Sequence, residues 1–205
     1  MKAGSAKDGS RPPWRKDATG PSCTRFPLDP ATLALERRDA YDAIVLQRGG
    51  LPLPYRALLA SPQVAVAVEQ LSRLLWSHTL PRDVLEAVFL VIAKHYRCDH
   101  QWSQHTPQAR AAGLSEECIS AIAGGLSPSG PQRVRLACQV SKRLLSGRRV
   151  GDILWPQAIE ALGEEGLANL CAFLGLASLV AMTINVQDAG SRMSRPVRAG
   201  PAARG

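Results

Sequence analysis

The 205-residue chain lacks several features that often announce a function. Its five cysteines, Cys23, Cys98, Cys118, Cys138 and Cys171, include no pair at zinc-site or redox spacing. No apolar stretch of signal-peptide length opens the chain, and the first residues carry Asp and Pro. Together these absences predict a reduced, cytoplasmic protein. No segment shows strand alternation, and no internal repeat emerges from the periodicity. There is no helix-turn-helix signal and no stripe of interleaved basic and aromatic residues, so no specific nucleic-acid partner is predicted. The longest apolar run, Leu167–Val186, includes Asn169, Asn185 and many small residues. It reads as a buried helix rather than a membrane span.

The chain is also short of charge asymmetry where it would matter. The formal net charge is +8, but residues 1–25 hold six basic and two acidic side chains and residues 190–205 hold four basic and no acidic ones. Residues 26–189 carry 15 of each sign, so the body is electrically balanced. The two terminal segments are rich in Gly, Pro, Ser and Arg, cannot bury enough apolar surface to offset ordering, and are predicted to be disordered basic tails. A single domain over 26–189 is long enough to enclose a real core.

What is present is helical punctuation. Asp29-Pro30 is an N-cap with Pro at the first helical position, and Gly49-Gly50 is a stop. Ser61-Pro62 opens a segment carrying Val64, Val68, Leu71 and Leu75. The span from Thr79 to Tyr96 is apolar nearly all round, which places it at the centre of the fold. A helix from about Asp99 to Ala112 contains Pro107, which predicts a kink or a split. Ser115 caps a short helix with Glu116 and Glu117 in its first turn. Pro131–Ser146 is amphipathic, and two further helices run from Asp152 to Leu162 and from Glu164 to Asp188. In the last, Ala168, Ala172, Gly175, Ala177 and Ala181 suit close packing against another helix or another subunit. The fold class is all-α, with about seven to eight helices.

Two places carry chemistry. Glu86 lies inside the most apolar helix, where a charged carboxylate needs a partner or a raised pKa. It either occupies a polar edge and pairs with a surface arginine, or serves as a general acid/base. The run from Lys94 to His105 then gathers three of the four histidines and Cys98 within twelve residues. Cys98, Gln101 and His105 fall at i, i+3 and i+7, so they share a helical face. His95, His100 and His105 are each five residues apart, a rotation of about 140° per step, and form no helical metal face. No metal site is predicted. Cys98 near a helix start would gain thiolate character, or else is a half-buried thiol beside a hydrogen-bonded core histidine.

Glu86, Cys98 twelve residues on, His105 seven beyond that, then Ala109 and Gly113-Leu114-Ser115, resemble the carboxymuconolactone decarboxylase / alkylhydroperoxidase D-like family. The run His100-Gln101-Trp102-Ser103-Gln104-His105 is similar to the YEWxxH stretch of its decarboxylase-like members. Arg48-Gly49-Gly50, Pro54-Tyr55-Arg56 and Leu59-Ala60-Ser61-Pro62 fit the same branch, and the resemblance spans roughly residues 35–185. It implies an alkylhydroperoxidase D-like helical bundle, no cofactor, and assembly as a trimer or hexamer. It implies catalytic roles for Glu86, Cys98 and His105, and a pocket lined by Tyr96, His100, Gln101 and Trp102, with Trp102 as an apolar wall. The family's peroxidase branch uses a CxxC pair, but here Gln101 stands at the second cysteine position. Without that resolving thiol, Cys98 cannot close the usual intramolecular disulfide. The favoured function is therefore proton-transfer chemistry, a decarboxylation or isomerisation, on a small carboxylate or lactone. Thiol-dependent hydroperoxide reduction through Cys98 and a non-catalytic oligomeric scaffold are the alternatives.

Overall fold

A computed structural model describes residues 25–77 and 80–187. The basic segments expected to be disordered fall outside the described residues, apart from Arg25, as does the expected helix start at Thr79. Among the described residues the chain forms eight α-helices and no strand. They are α1 (Leu35–Arg48), α2 (Leu53–Leu58), α3 (Pro62–Ser77), α4 (Arg82–Tyr96), α5 (Asp99–Ala111), α6 (Glu116–Ala123), α7 (Gln132–Leu145) and α8 (Leu154–Gln187). The Asp29-Pro30 cap does form, with Asp29 Oδ1 accepting from Ala31 N at 3.0 Å, but it opens only a 3-10 turn, Pro30–Thr32. The helix proper starts at Leu35 and stops at Gly49, whose φ of 71° suits glycine.

α4 is the axis of the bundle. Ten consecutive residues, Val84 to Ala93, are buried, and the helix packs on α5, α6, α7 and α8. Its apolar residues therefore reach neighbours on every side, as an all-round hydrophobic helix must. α1 lies on α3, and α2 bridges α3 and α8. On α3, Val68 and Leu75 face inward as expected, whereas Val64 and Leu71 are 44% and 40% exposed. Burial on α7 follows the expected face at Val134, Ala137, Cys138 and Val140.

Two local features place the site. The break expected between His95 and Asp99 is a left-handed turn at Arg97 (φ 50°, ψ 42°), whose N–H and that of Cys98 close back on Ala93 O and Lys94 O. A non-glycine residue there carries backbone strain, and the turn folds α5 back against α4. Pro107, expected to kink or split α5, does not split it: the helix runs unbroken from Asp99 to Ala111 with Pro107 on its exposed face.

α8 is long and apolar enough to cross a membrane by length and composition, with 44% of its most apolar window buried. It is two helical segments meeting at Gly163 (φ 71°, ψ 171°), the break expected between Leu162 and Glu164. Ala177 and Ala181 pack inward, while Ala168, Ala172 and Gly175 are on the exposed face. The Gly163 backbone occupies a region that only glycine enters cheaply, and a Cβ there would meet nothing within 4 Å. Gly163→Ala should therefore cost about 1–3 kcal/mol through the backbone alone. Urea unfolding should show a lower midpoint at unchanged slope, and an unchanged midpoint would mean that the join relaxes.

Candidate active site

Glu86 is fully buried on α4 and holds two partners. Arg82, one turn earlier, sets Nη2 2.8 Å from Oε1. His105, delivered by α5, sets Nδ1 2.8 Å from Oε2. Of the two alternatives left open for Glu86, the pairing with a surface arginine is observed, but the carboxylate is fully buried rather than on a polar edge. The Arg82 guanidinium supplies a counter-charge to the buried carboxylate. An anion on Nδ1 selects the tautomer with hydrogen at Nδ1 and leaves the Nε2 lone pair available. No described residue bonds Nε2.

Aromatic rings fix the imidazole. Phe89 stacks on it with centroids 3.8 Å apart at 22°, and Trp76 lies roughly parallel at 5.8 Å. Arg82 in turn lies over the Trp76 ring, 4.4 Å from its centroid, a cation–π contact that keeps the guanidinium over Glu86. Phe173 of α8 meets Trp76 edge-on at 5.1 Å. The imidazole's plane and its distance from Glu86 are set by packing as well as by the hydrogen bond.

His105 opens onto a cavity of about 750 Å³ walled by α1, α2, α3, α4, α5 and α8. That volume suits a small organic molecule. Of the expected pocket residues, His100, Gln101 and His105 line it, while Tyr96, Cys98 and Trp102 lie outside its lining. Trp102 and Cys98 are buried in the core, 1% and 0% exposed, and the Tyr96 ring packs edge-on against His95. The apolar wall expected of Trp102 is supplied by Trp76 and Phe89. Glu86 itself sits behind Arg82 and His105 rather than on the surface of the cavity. Gln101 donates Nε2 to Ala177 O at 3.1 Å, tying α5 to α8.

A second polar cluster on the same cavity has no counterpart in the sequence reading. Glu69 of α3 is 4% exposed. Its Oε2 accepts from Arg48 Nε at 2.8 Å and from Tyr55 OH at 2.6 Å. Burial, and then Glu69, push the Tyr55 phenol well above its ordinary range, so it stays a donor. Glu69 lies on an ordinary-looking amphipathic helix, and only its 21-residue separation from Arg48 in the chain, closed by the fold, reveals the pair.

The other thiols are remote in character. Burial pushes Cys118 up and Cys138 up to about 12, the latter with Cys118 as its neighbour, so neither is a thiolate at neutral pH. No disulfide joins the described cysteines, and no three His, Cys, Asp or Glu residues among the described ones are grouped to hold a metal ion. Comparison with models of known protein families and with curated proteins finds no significant match to the chain.

His100 is held below its ordinary 6.5, first by burial and then by the neighbouring His105. Between that lowered value and 6.5 the unfolded chain binds a proton that the folded chain does not. Stability should therefore fall as pH drops through 6.5 and level off below the folded-state value. Thermal unfolding of wild type and His100→Gln across pH 5–8 checks this. The variant should lose part of the slope, and identical slopes would show that His100 does not contribute.

Proposed function

We propose that this chain is a cofactor-free proton-transfer enzyme acting on a small carboxylate or lactone, in the manner its resemblance to carboxymuconolactone decarboxylases implies. The observation that carries this reading is a fully buried carboxylate 2.8 Å from the Nδ1 of a cavity-lining histidine. That pairing makes Nε2 the base. In an isomerisation, Nε2 takes a proton from the carbon beside a carbonyl, the electron pair passes to the carbonyl oxygen, and the imidazolium returns the proton to a different atom. In a decarboxylation, Nε2 takes the proton of the substrate's carboxylic acid, the carbon–carboxylate bond breaks, carbon dioxide leaves, the same enolate forms, and the imidazolium returns the proton to its carbon. Glu86 supports the imidazolium in both cases without itself taking the proton. The Arg82 guanidinium and the side-chain amides of Gln104 and Gln108 line the cavity as donors for the developing oxyanion.

The hydroperoxidase alternative needs a thiol that a peroxide can reach. Cys98 is 0% exposed and outside the lining of the cavity, so nothing in its surroundings favours that reading. A homo-oligomer, trimer or hexamer, fits the exposed apolar residues Val64, Leu71 and Leu74 on α3 and Met182 and Val186 on α8.

The test is solvent-deuterium incorporation, followed by NMR, into a panel of small oxo acids and carboxylated lactones, with carbon dioxide release measured in parallel. Glu86→Gln and His105→Gln should each lower the rate about 10²–10⁴-fold, while Cys98→Ser leaves it near wild type. Robust peroxide turnover that vanishes in Cys98→Ser would replace this reading with the peroxidase. Absence of any turnover dependent on Glu86 would leave the scaffold.

A further inference from the structure

The cluster around Glu69 plays no part in the proton transfer described above, yet it is built with care around one side chain. Arg48 closes α1 and lines the cavity with its side chain 31% exposed. Its Nε donates to Glu69 Oε2 at 2.8 Å and its Nη2 to Ser72 Oγ at 2.9 Å. Tyr55 OH donates to the same Glu69 oxygen at 2.6 Å, and the Arg48 guanidinium carbon lies 5.8 Å from the centre of the Tyr55 ring. Bonds from two different nitrogens fix the plane of a guanidinium, which a single bond would leave free to swivel. Nη1 has no acceptor among the described residues.

An exposed surface ion pair needs no such support, because it contributes little and tolerates loose geometry. Here a carboxylate, a phenol and a hydroxyl are withdrawn from water to orient one partly exposed arginine, an arrangement with a real desolvation cost. The charge count adds to this. Arg48, Arg73 and Arg82 line the cavity, and Glu69 is the acid that does so. Counting Glu86 behind the wall, three cations face two anions, so an empty cavity with His105 neutral carries one surplus positive charge.

We propose that Arg48 is the anchor for a carboxylate group of the substrate, gripped through its Nη1 edge, with Glu69, Ser72 and Tyr55 as positioning residues. This rests on the proton-transfer reading for the chemistry at the other cluster and narrows its substrate. Decarboxylation must move the carboxylate's charge out onto the neighbouring carbon, and a guanidinium paired with that carboxylate opposes the move, so the anchored group is a spectator. A surplus of one charge then matches a monoanion. It points to isomerisation of a small oxo- or lactone-carboxylate rather than decarboxylation of a dianion.

Levulinate, a γ-keto carboxylate, and its uncharged methyl ester form a matched pair of probes. Their binding to wild type, Arg48→Ala, Arg48→Lys, Glu69→Gln and Glu86→Gln is measured by NMR shift titration, with thermal melts to confirm folding. Wild type should bind levulinate in preference to the ester. Arg48→Ala should weaken levulinate about 10- to 100-fold, as expected for loss of a charge-assisted hydrogen bond, and leave the ester unchanged. Arg48→Lys, which keeps the charge without the fork, should fall between, and carries the same test if Arg48→Ala does not fold. Glu69→Gln should erode the preference for the charged probe, an effect that a purely structural role would not produce. Glu86→Gln should keep levulinate binding while losing deuterium exchange, which separates the anchor from the chemistry. Equal levulinate affinity in wild type and both Arg48 variants, or no preference for levulinate over its ester in wild type, overturns the anchor even where Glu86-dependent exchange is intact.

Discussion

A single carboxylate in the centre of an apolar helix sets the terms for the rest of the molecule. Glu86 is fully buried, and its desolvation must be met from within the protein. Arg82 meets it along the same helix and His105 meets it across the α4–α5 hairpin. The left-handed turn at Arg97 is the backbone device that makes the second meeting possible. Trp76 and Phe89 then keep both partners in place by stacking on them. Removing the carboxylate would leave an arginine and a histidine with no counter-charge on an apolar wall.

The cavity joins two such carboxylates. Glu86 lies behind His105, while Glu69 lies against Arg48. Each is buried and each orients one partly exposed side chain that lines the same cavity. The pattern is one of deep acids holding shallower polar side chains in fixed orientations. α3 supplies Glu69, Ser72 and Trp76 to both clusters, which couples their geometry through one helix.

Much of the fold was legible because its signals are local. The helix end at Gly49, the cap at Ser115 and the break at Gly163 all follow from backbone chemistry within a few residues. Pro107 did not announce its outcome: whether a proline splits a helix depends on how the segment packs, and α5 continues through it. Glu86 and His105 were legible as an anomaly and a spacing, one a charge in an apolar helix and the other on a face shared with Cys98 and Gln101. Trp102 and Cys98 share that helix with His105, yet both turn into the core, since a face of α5 covers both the cavity and the packing against α4. Arg48, Glu69 and Tyr55 come from three helices, and no periodicity in one segment can announce a cluster made by three.

The central claim is that Glu86 fixes a hydrogen on Nδ1 of His105, leaving Nε2 free to act as the base. Long-range proton–nitrogen NMR of the histidine rings at neutral pH reads this directly. The account predicts a protonated, hydrogen-bonded Nδ1 and an unprotonated Nε2 for His105, with the bonded signature lost in Glu86→Gln. A His105 ring carrying its hydrogen on Nε2, or one indifferent to Glu86→Gln, would contradict it.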